Sequence, residues 1–359
     1  MVQRCHDPVR IVFHLPSNQC PYTVAMHMAD ALISATVGGS FWALSGGSLA
    51  GCSRHLRRKA NEANDAQVPL MGVLGAFVFA AQMVNFAIPG TGSSGHLGGG
   101  LLLTVLLGPS AAVLVMGSVL LMQALFFADG GLLAFGCNLF NLGILPAFVA
   151  YPLVYRPLAR RGWLGSAAVL GSLAALQLGA LGVVLETTFS GLAGLPFKPF
   201  LLSMLAIHLP IGLVEGLVTA GLLRFVGKAR PALLETRAES PGRGLLAVFL
   251  GLALLAGGIL SWAASDRPDG LEWSVARTSK LAESAAPSTG LAKFFHQLQQ
   301  RTSVLPDYTF PKPGEGALKR AGTSLSGLLG GALTLGLITC AGWLVARRRK
   351  SNLITKARS

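Results

Sequence analysis

Two histidines and their neighbours carry the clearest chemistry in the sequence: His27, second residue of the stretch MHMADALIS that opens at Met26, and His96 in PGTGSSGHLGGG. If Met26 is the first residue of the mature chain, its α-amine, the amide nitrogen of His27 and the imidazole Nδ1 of His27 chelate one metal ion in adjoining rings. Three nitrogens then lie in one plane, and His96 supplies a fourth. Square-planar nitrogen sets suit Ni²⁺ and Cu²⁺, and imidazole suits cobalt, nickel, copper and zinc generally. The competing reading makes His27 and His96 interfacial histidines near helix ends, with no ligand role.

The start of the chain matters to this chemistry. Residues 1–25 contain Arg, Asp and proline and only the short apolar piece IVF, so they lack the roughly 7–15-residue apolar core of a signal peptide. We read translation as starting at Met26, with a processed or disordered extension as the alternative.

Other polar residues in apolar surroundings are candidates for lesser roles. His208 and Glu215, in IHLPIGLVEGLV, stand two helical turns apart and share one helix face. A mid-membrane carboxylate costs about 2.5–3.5 kcal/mol on insertion scales, so Glu215 is expected to face inward and to have a partner, in a hydrogen-bond network or as a metal ligand. Gln82, Asn85, Asn138 and Asn141 are expected to bond between helices or to support the outer site. Gly90, Gly92 and Gly95 spell G-x-G-x-x-G, but a membrane helix precedes them and no βαβ unit is present, which excludes a dinucleotide site. Ser94 in G-S-S-G, with His208 as base, would suit an intramembrane serine protease. The five cysteines lie far apart without a C-x-x-C pair, so neither a zinc site nor a disulfide framework is indicated.

The elements that must hold these residues are membrane helices. Of the 359 residues 52% are apolar and 12% charged, and the net charge of +14 sits in short clusters between apolar runs. That distribution belongs to membrane loops, not to a nucleic-acid surface. The fold expected is all-α and polytopic, with about nine spans of the length a bilayer requires, near 31–52, 69–89, 97–108, 109–127, 132–155, 164–186, 199–225, 243–264 and 321–346. Gly108-Pro109 breaks the run from Leu97 to Phe127, because proline favours the first turn of a new helix. The piece before it is too short to face lipid alone and must sit within protein. Basic clusters at Arg54–Lys59, Arg156–Arg161, Arg224–Arg243 and Arg347–Lys350 all fall on one side of a nine-span chain. The positive-inside rule makes that side cytoplasmic, in the cell's inner membrane, with His96 and the 265–320 loop facing outward. The organisation read from this is a seven-helix unit at 26–228, a cytoplasmic linker at 229–242, a two-span unit at 243–346 with its outer loop at 265–320, and a basic cytoplasmic tail at 347–359. Within the outer loop, LAKFFHQLQQ reads as a short amphipathic surface helix.

Four ordered blocks resemble a known family: MHMADALIS, AAQMVNFAIPGTGSSGHLGGG, LLGPSAAVLVMGSVLLMQALFFADGGLLAFGCNLFNLG and IHLPIGLVEGLVTAGLL. They look like the substrate-binding membrane (M) component of cobalt and nickel energy-coupling-factor ABC transporters, over about residues 26–228. The remainder, with RPDGLEWS and PDYTF in its outer loop, resembles the small N component of the same systems, here fused. The resemblance implies uptake of Co²⁺ or Ni²⁺ as transported substrate, with no other cofactor, through a metal site of Met26, His27 and His96. The 25-residue extension departs from the family, since it would convert the Met26 amine to an amide. The chain has no G-x-x-x-x-G-K-[ST] loop and is not expected to be an enzyme. The resemblance therefore implies two ATPase subunits and a transmembrane coupling subunit as partners. The alternatives kept open are the Ser94–His208 protease and a metal carrier that works without ATPases.

Overall fold

A computed structural model describes residues 27–58, 62–235, 242–278, 290–310 and 316–358, without the side chains of 62–66, 232, 235 and 344–358. Met26 and the 1–25 segment lie outside these residues. Twelve helices, three short 3-10 turns (Asp30–Leu32, Leu260–Ala263, Pro306–Tyr308) and one hairpin make up the fold among the described residues. The first are α1 (Ala35–Arg58) and α2 (Glu62–Gln82), then the strands β1 (Phe86–Ile88) and β2 (Ser93–Gly95). Next come α3 (Gly100–Leu107), α4 (Pro109–Phe127), α5 (Phe135–Arg160), α6 (Leu164–Ser190) and α7 (Phe197–Ala229). After the short α8 (Pro231–Glu235) follow α9 (Arg243–Gly258), α10 (Gly270–Thr278), α11 (Gly290–Thr302) and α12 (Ala317–Arg358).

The expected break before Pro109 is present. Gly108 takes φ 86°, and its N–H closes α3 on the Thr104 carbonyl while Pro109 opens α4. A proline there forfeits no helical hydrogen bond. At eight residues α3 is about 12 Å long, and every one of its residues is buried, as so short an apolar piece requires. It fits against α5 because residue 100 is glycine; a Cβ there would collide with the Leu142 carbonyl. Within α5 the turns widen over Phe140–Ile144 and Pro146–Tyr155. Wider turns leave room around Pro146 and Pro152, which have no N–H to donate.

Five described helices are long and apolar enough to cross a membrane: α4, α5, α6, α7 and the Ala317–Trp343 part of α12. Gln67–Gln82 and Arg243–Gly258 are apolar but shorter. The expected count of nine is therefore not reached on length and apolarity: α3 is too short, and the glycine- and serine-rich α1 is too polar. The protein is nonetheless a helical membrane protein, in which α9 and α12 pack on α2. Small residues let these helices close up: Gly257 and Gly327 meet backbone to backbone, and a Cβ at Gly330 would strike the Phe79 ring. In lipid, where apolar area gives no net drive, such close approach is what binds helices together.

The hairpin departs from the all-helical reading. A short strand, not the membrane helix itself, precedes the glycines, and it pairs antiparallel with β2, Phe86 opposite Gly95 and Ile88 opposite Ser93. Gly90 and Gly92 make the turn with φ of 76° and 77°, values that cost glycine nothing. With no parallel partner and no crossover helix, the motif still cannot be a dinucleotide site.

Candidate metal site

The site is assembled around His27, beside the end of α4. His27 is 4% exposed, and two polar side chains, Asp129 and Gln123, bond to it. Its main-chain N–H donates to Asp129 Oδ1 at 3.2 Å, and its Nε2 lies 3.0 Å from Gln123 Oε1. Gln123 is itself fixed, donating to Gln82 Oε1 at 2.9 Å, and Gln82 donates to the Gly98 carbonyl at 2.9 Å. The next residue is clamped too: Met28 N–H donates to Asn138 Oδ1 and Asn138 Nδ2 to the Met28 carbonyl, both at 3.1 Å. With Nε2 engaged, no hydrogen bond from a described group reaches His27 Nδ1, the nitrogen that the expected chelate would use.

His96 comes to the same place from the hairpin. Its ring centroid is 5.3 Å from that of His27, at 74° between planes, and its Nδ1 is 3.3 Å from the Leu97 carbonyl. Among the described residues no cluster of three or more His, Cys, Asp or Glu side chains is formed. A metal here would therefore rely on the two imidazoles and on main-chain nitrogen. The histidines open onto a cavity of about 90 Å³, also lined by Asn138, Asn141, His208, Glu215 and Asp269.

The supporting residues divide. Glu215 accepts from Gly98 N–H at 2.8 Å and Gly99 N–H at 3.1 Å, so it holds the loop that carries His96. Asn138 serves His27 through Met28, whereas Asn141 donates to Glu186 on α6 at 2.8 Å. Asn85 does not line the cavity: its carbonyl accepts from Ser265 N–H at 2.8 Å, and among the described residues its buried Oδ1 has no partner. Ser94 and His208 are not brought together as nucleophile and base. Ser94 Oγ donates to the Arg267 carbonyl at 2.8 Å, and His208 Nδ1 is 2.7 Å from the Met204 carbonyl. Gln123 and Asp129, which bond to His27, and Tyr308, whose hydroxyl donates to Asp129, are contacts of the candidate site that the sequence did not single out. A glutamine and an aspartate within MQALFFADGG were the available signal for the first two, since intramembrane polar residues need partners.

The model of the cobalt uptake substrate-specific transmembrane region, CbiM, matches residues 27–233, and that of the PDGLE domain matches 243–347. The chain belongs to the CbiM family. An Archaeoglobus fulgidus protein is 34% identical over 319 residues, covering 87% of this chain and 96% of its own. The fused nickel transport protein NikMN of Rhodobacter capsulatus is 33% identical over 91% of this chain and all of its own length. The cobalt transport protein CbiM of Sorangium cellulosum is 33% identical over 58% of this chain and 95% of its own. The family resemblance drawn from the four sequence blocks, and the fusion to a second unit, are thereby borne out. This CbiM-family chain is thus a transition-metal transport component.

In this CbiM-family chain the PDGLE segment covers the cavity. Asp269 caps α10: Glu272 N–H donates to its Oδ1 at 2.8 Å, and Glu272 Oε2 accepts from Asp269 N–H at 3.3 Å. That reciprocal pair is a capping box. It turns Gly270 down onto His208, Ile207 and Ile211, where an added Cβ would come within 3.1 to 3.2 Å of all three and one of them would have to give. Ser94 N–H donates to the Pro268 carbonyl at 2.8 Å and Trp273 Nε1 to the Thr91 carbonyl at 3.0 Å, so the hairpin is the seat of this segment. Burial raises both carboxyls of the box, and the charge of each neighbour adds to the effect at Asp269. Burial, with the charge of Asp129, also pushes Asp307 up to about 6.

Proposed function

We propose that the protein is the substrate-specificity component of an energy-coupling-factor ABC transporter, capturing Ni²⁺ or Co²⁺ at its outer face. The observation that carries this reading is the meeting of His27 and His96, 5.3 Å apart, in a chain of the CbiM family. The ligands proposed are the Met26 amine, the His27 amide nitrogen and Nδ1, and an imidazole nitrogen of His96. Gln123 engages His27 Nε2, which leaves Nδ1 for the metal, the usual task of a residue behind a metal-bound histidine. Residues 26–228 form the metal-binding unit, and 243–346 assist loading through the outer loop. The basic clusters support an orientation with the site outside and the tail inside an inner membrane. Energy comes from two cytoplasmic ATPase subunits and a transmembrane coupling subunit.

Isothermal titration of the purified full chain with Ni²⁺ and with Co²⁺ tests the site. His27→Ala and His96→Ala are each expected to abolish binding, and intact mass of the metal-bound protein is expected to begin at Met26. An added residue before Met26 should be as damaging as either substitution; unchanged affinity in that variant would remove the amine from the ligand set. Metal uptake by cells with and without the ATPase subunits decides against an independent carrier if it vanishes without them.

A further inference from the structure

The motif PDYTF, in the outer loop of the C-terminal unit, has a definite place in the structure that the transport reading leaves without a task. Tyr308 is 8% exposed although it belongs to a polar loop. Its ring stacks on Phe127 at 5.0 Å and 16°, and meets Phe79 edge-on at 6.2 Å. Its hydroxyl donates to Asp129 Oδ2 at 2.5 Å. The other oxygen of Asp129 is the one that accepts the His27 N–H at 3.2 Å. A continuous chain of contacts therefore runs from the fused unit to the main-chain nitrogen proposed as a ligand.

Asp129 depends on that chain. It is 2% exposed, and among the described residues no Lys or Arg pairs with it; its side-chain partners are His27 and Tyr308. A buried carboxylate that loses a donor must find another or move. Movement would carry the His27 main chain with it, because the two are directly bonded.

The loop is built to hold the hydroxyl in place. Asp307 and Tyr308 both adopt left-handed backbone, φ 53° and 57°, which non-glycine residues take up only when their surroundings enforce it. The turn is tied by Tyr308 N–H to the Leu305 carbonyl at 3.1 Å, and by Thr309 N–H to the Pro306 carbonyl at 3.2 Å. Val304 and Leu305 N–H both donate to the Phe126 carbonyl, at the end of α4. From α11, Gln299 Nε2 donates to the carbonyls of Ala124 at 3.0 Å and Gly130 at 2.7 Å, on either side of Asp129.

Resting on the metal reading above, we infer that Tyr308 is a positioning residue for the metal site, holding Asp129 so that this carboxylate, through the His27 N–H it accepts in the metal-free chain, sets the His27 backbone in place before the nitrogen loses that proton to solvent and ligates. The C-terminal unit then contributes to the geometry of a site whose ligands all belong to the other unit. Removing the hydroxyl loosens the site without removing a ligand.

The test uses the full chain, Ni²⁺ alone as probe, titration calorimetry, and the ligand-field absorption of the bound ion. Tyr308→Phe keeps the ring stack and is expected to weaken Ni²⁺ binding about tenfold, the lower end for residues behind a ligand, with a shifted absorption band. Asp129→Asn should weaken it as well, and Tyr308→Phe combined with Asp129→Asn should be no weaker than Asp129→Asn alone. Asp307→Gly relaxes the turn but keeps the hydroxyl, and is expected to bind like the unaltered chain. Three results would overturn the inference: a Tyr308→Phe chain with unchanged affinity and spectrum, additive losses in the double variant, or a loss in Asp307→Gly equal to that in Tyr308→Phe. If His96→Ala binds Ni²⁺ as the unaltered chain does, the metal reading itself fails, which separates the two conclusions.

Discussion

Gln123 shows how a single residue can decide the chemistry of another. Its Oε1, 3.0 Å from His27 Nε2, fixes which imidazole nitrogen is available. Replacing it by methionine, of similar length, removes that acceptor and leaves Gln82 Oε1 without its donor. Affinity for Ni²⁺ is expected to fall about tenfold, and stability by about 1–3 kcal/mol for the unpaired buried amide; calorimetric titration and thermal unfolding read the two effects separately. Metal affinity is also expected to fall as pH falls, since the amine, the imidazoles and the amide nitrogen must all shed protons to bind. Titrations at pH 6 and pH 8 giving equal affinity would contradict a nitrogen ligand set.

At the scale of elements, the PDGLE segment is a helix start and not a cation loop. Asp269 and Glu272 are turned toward each other's main-chain N–H groups. Millimolar Ca²⁺ is therefore expected to leave the melting temperature unchanged, and a marked rise would refute the assignment. Asp269→Ala removes the cap and should cost about 1 kcal/mol. Because α10 seats Gly270 on His208, the same change should loosen the cover of the cavity, seen as faster hydrogen exchange in 270–278. The hairpin is the counterpart element: Ser94 and Thr91 supply the contacts that receive this helix.

The two units of the whole molecule have opposite pH signatures. Burial raises Asp307 to about 6 and raises Glu272 and Asp269 as well, so the folded outer loop binds more protons than the unfolded chain above about pH 4. Its stability is fully present below the ordinary carboxylate range and is lost as pH rises through the folded values. Hydrogen exchange of 290–310 in the metal-free protein should therefore be slower at pH 5 than at pH 7.5, after correction for intrinsic rates, while metal binding moves the other way. Deleting 265–320 should leave α2 to α7 folded but sharply reduce uptake, because the cover of the cavity and Tyr308 both leave with it. Normal uptake by the deleted chain would exclude an assisting role.

Much of this was determined by the sequence alone, because the relevant physics is local. Helix lengths follow from apolar runs, the break at Gly108-Pro109 from proline's missing N–H, and the family from four ordered blocks that include His27 and His96. His208 and Glu215 share a face of α7 by periodicity, and both do line the cavity. Tertiary structure decided what those residues do. Glu215 braces the Gly98-Gly99 backbone, Ser94 seats the PDGLE turn instead of facing a base, and the Asn85 carbonyl takes the Ser265 N–H. Asp129 and Tyr308 lie 179 positions apart, and nothing in either segment names the other. Their contact exists because a buried carboxylate must find donors and a buried hydroxyl an acceptor, and only the packed fold determines which ones lie within reach.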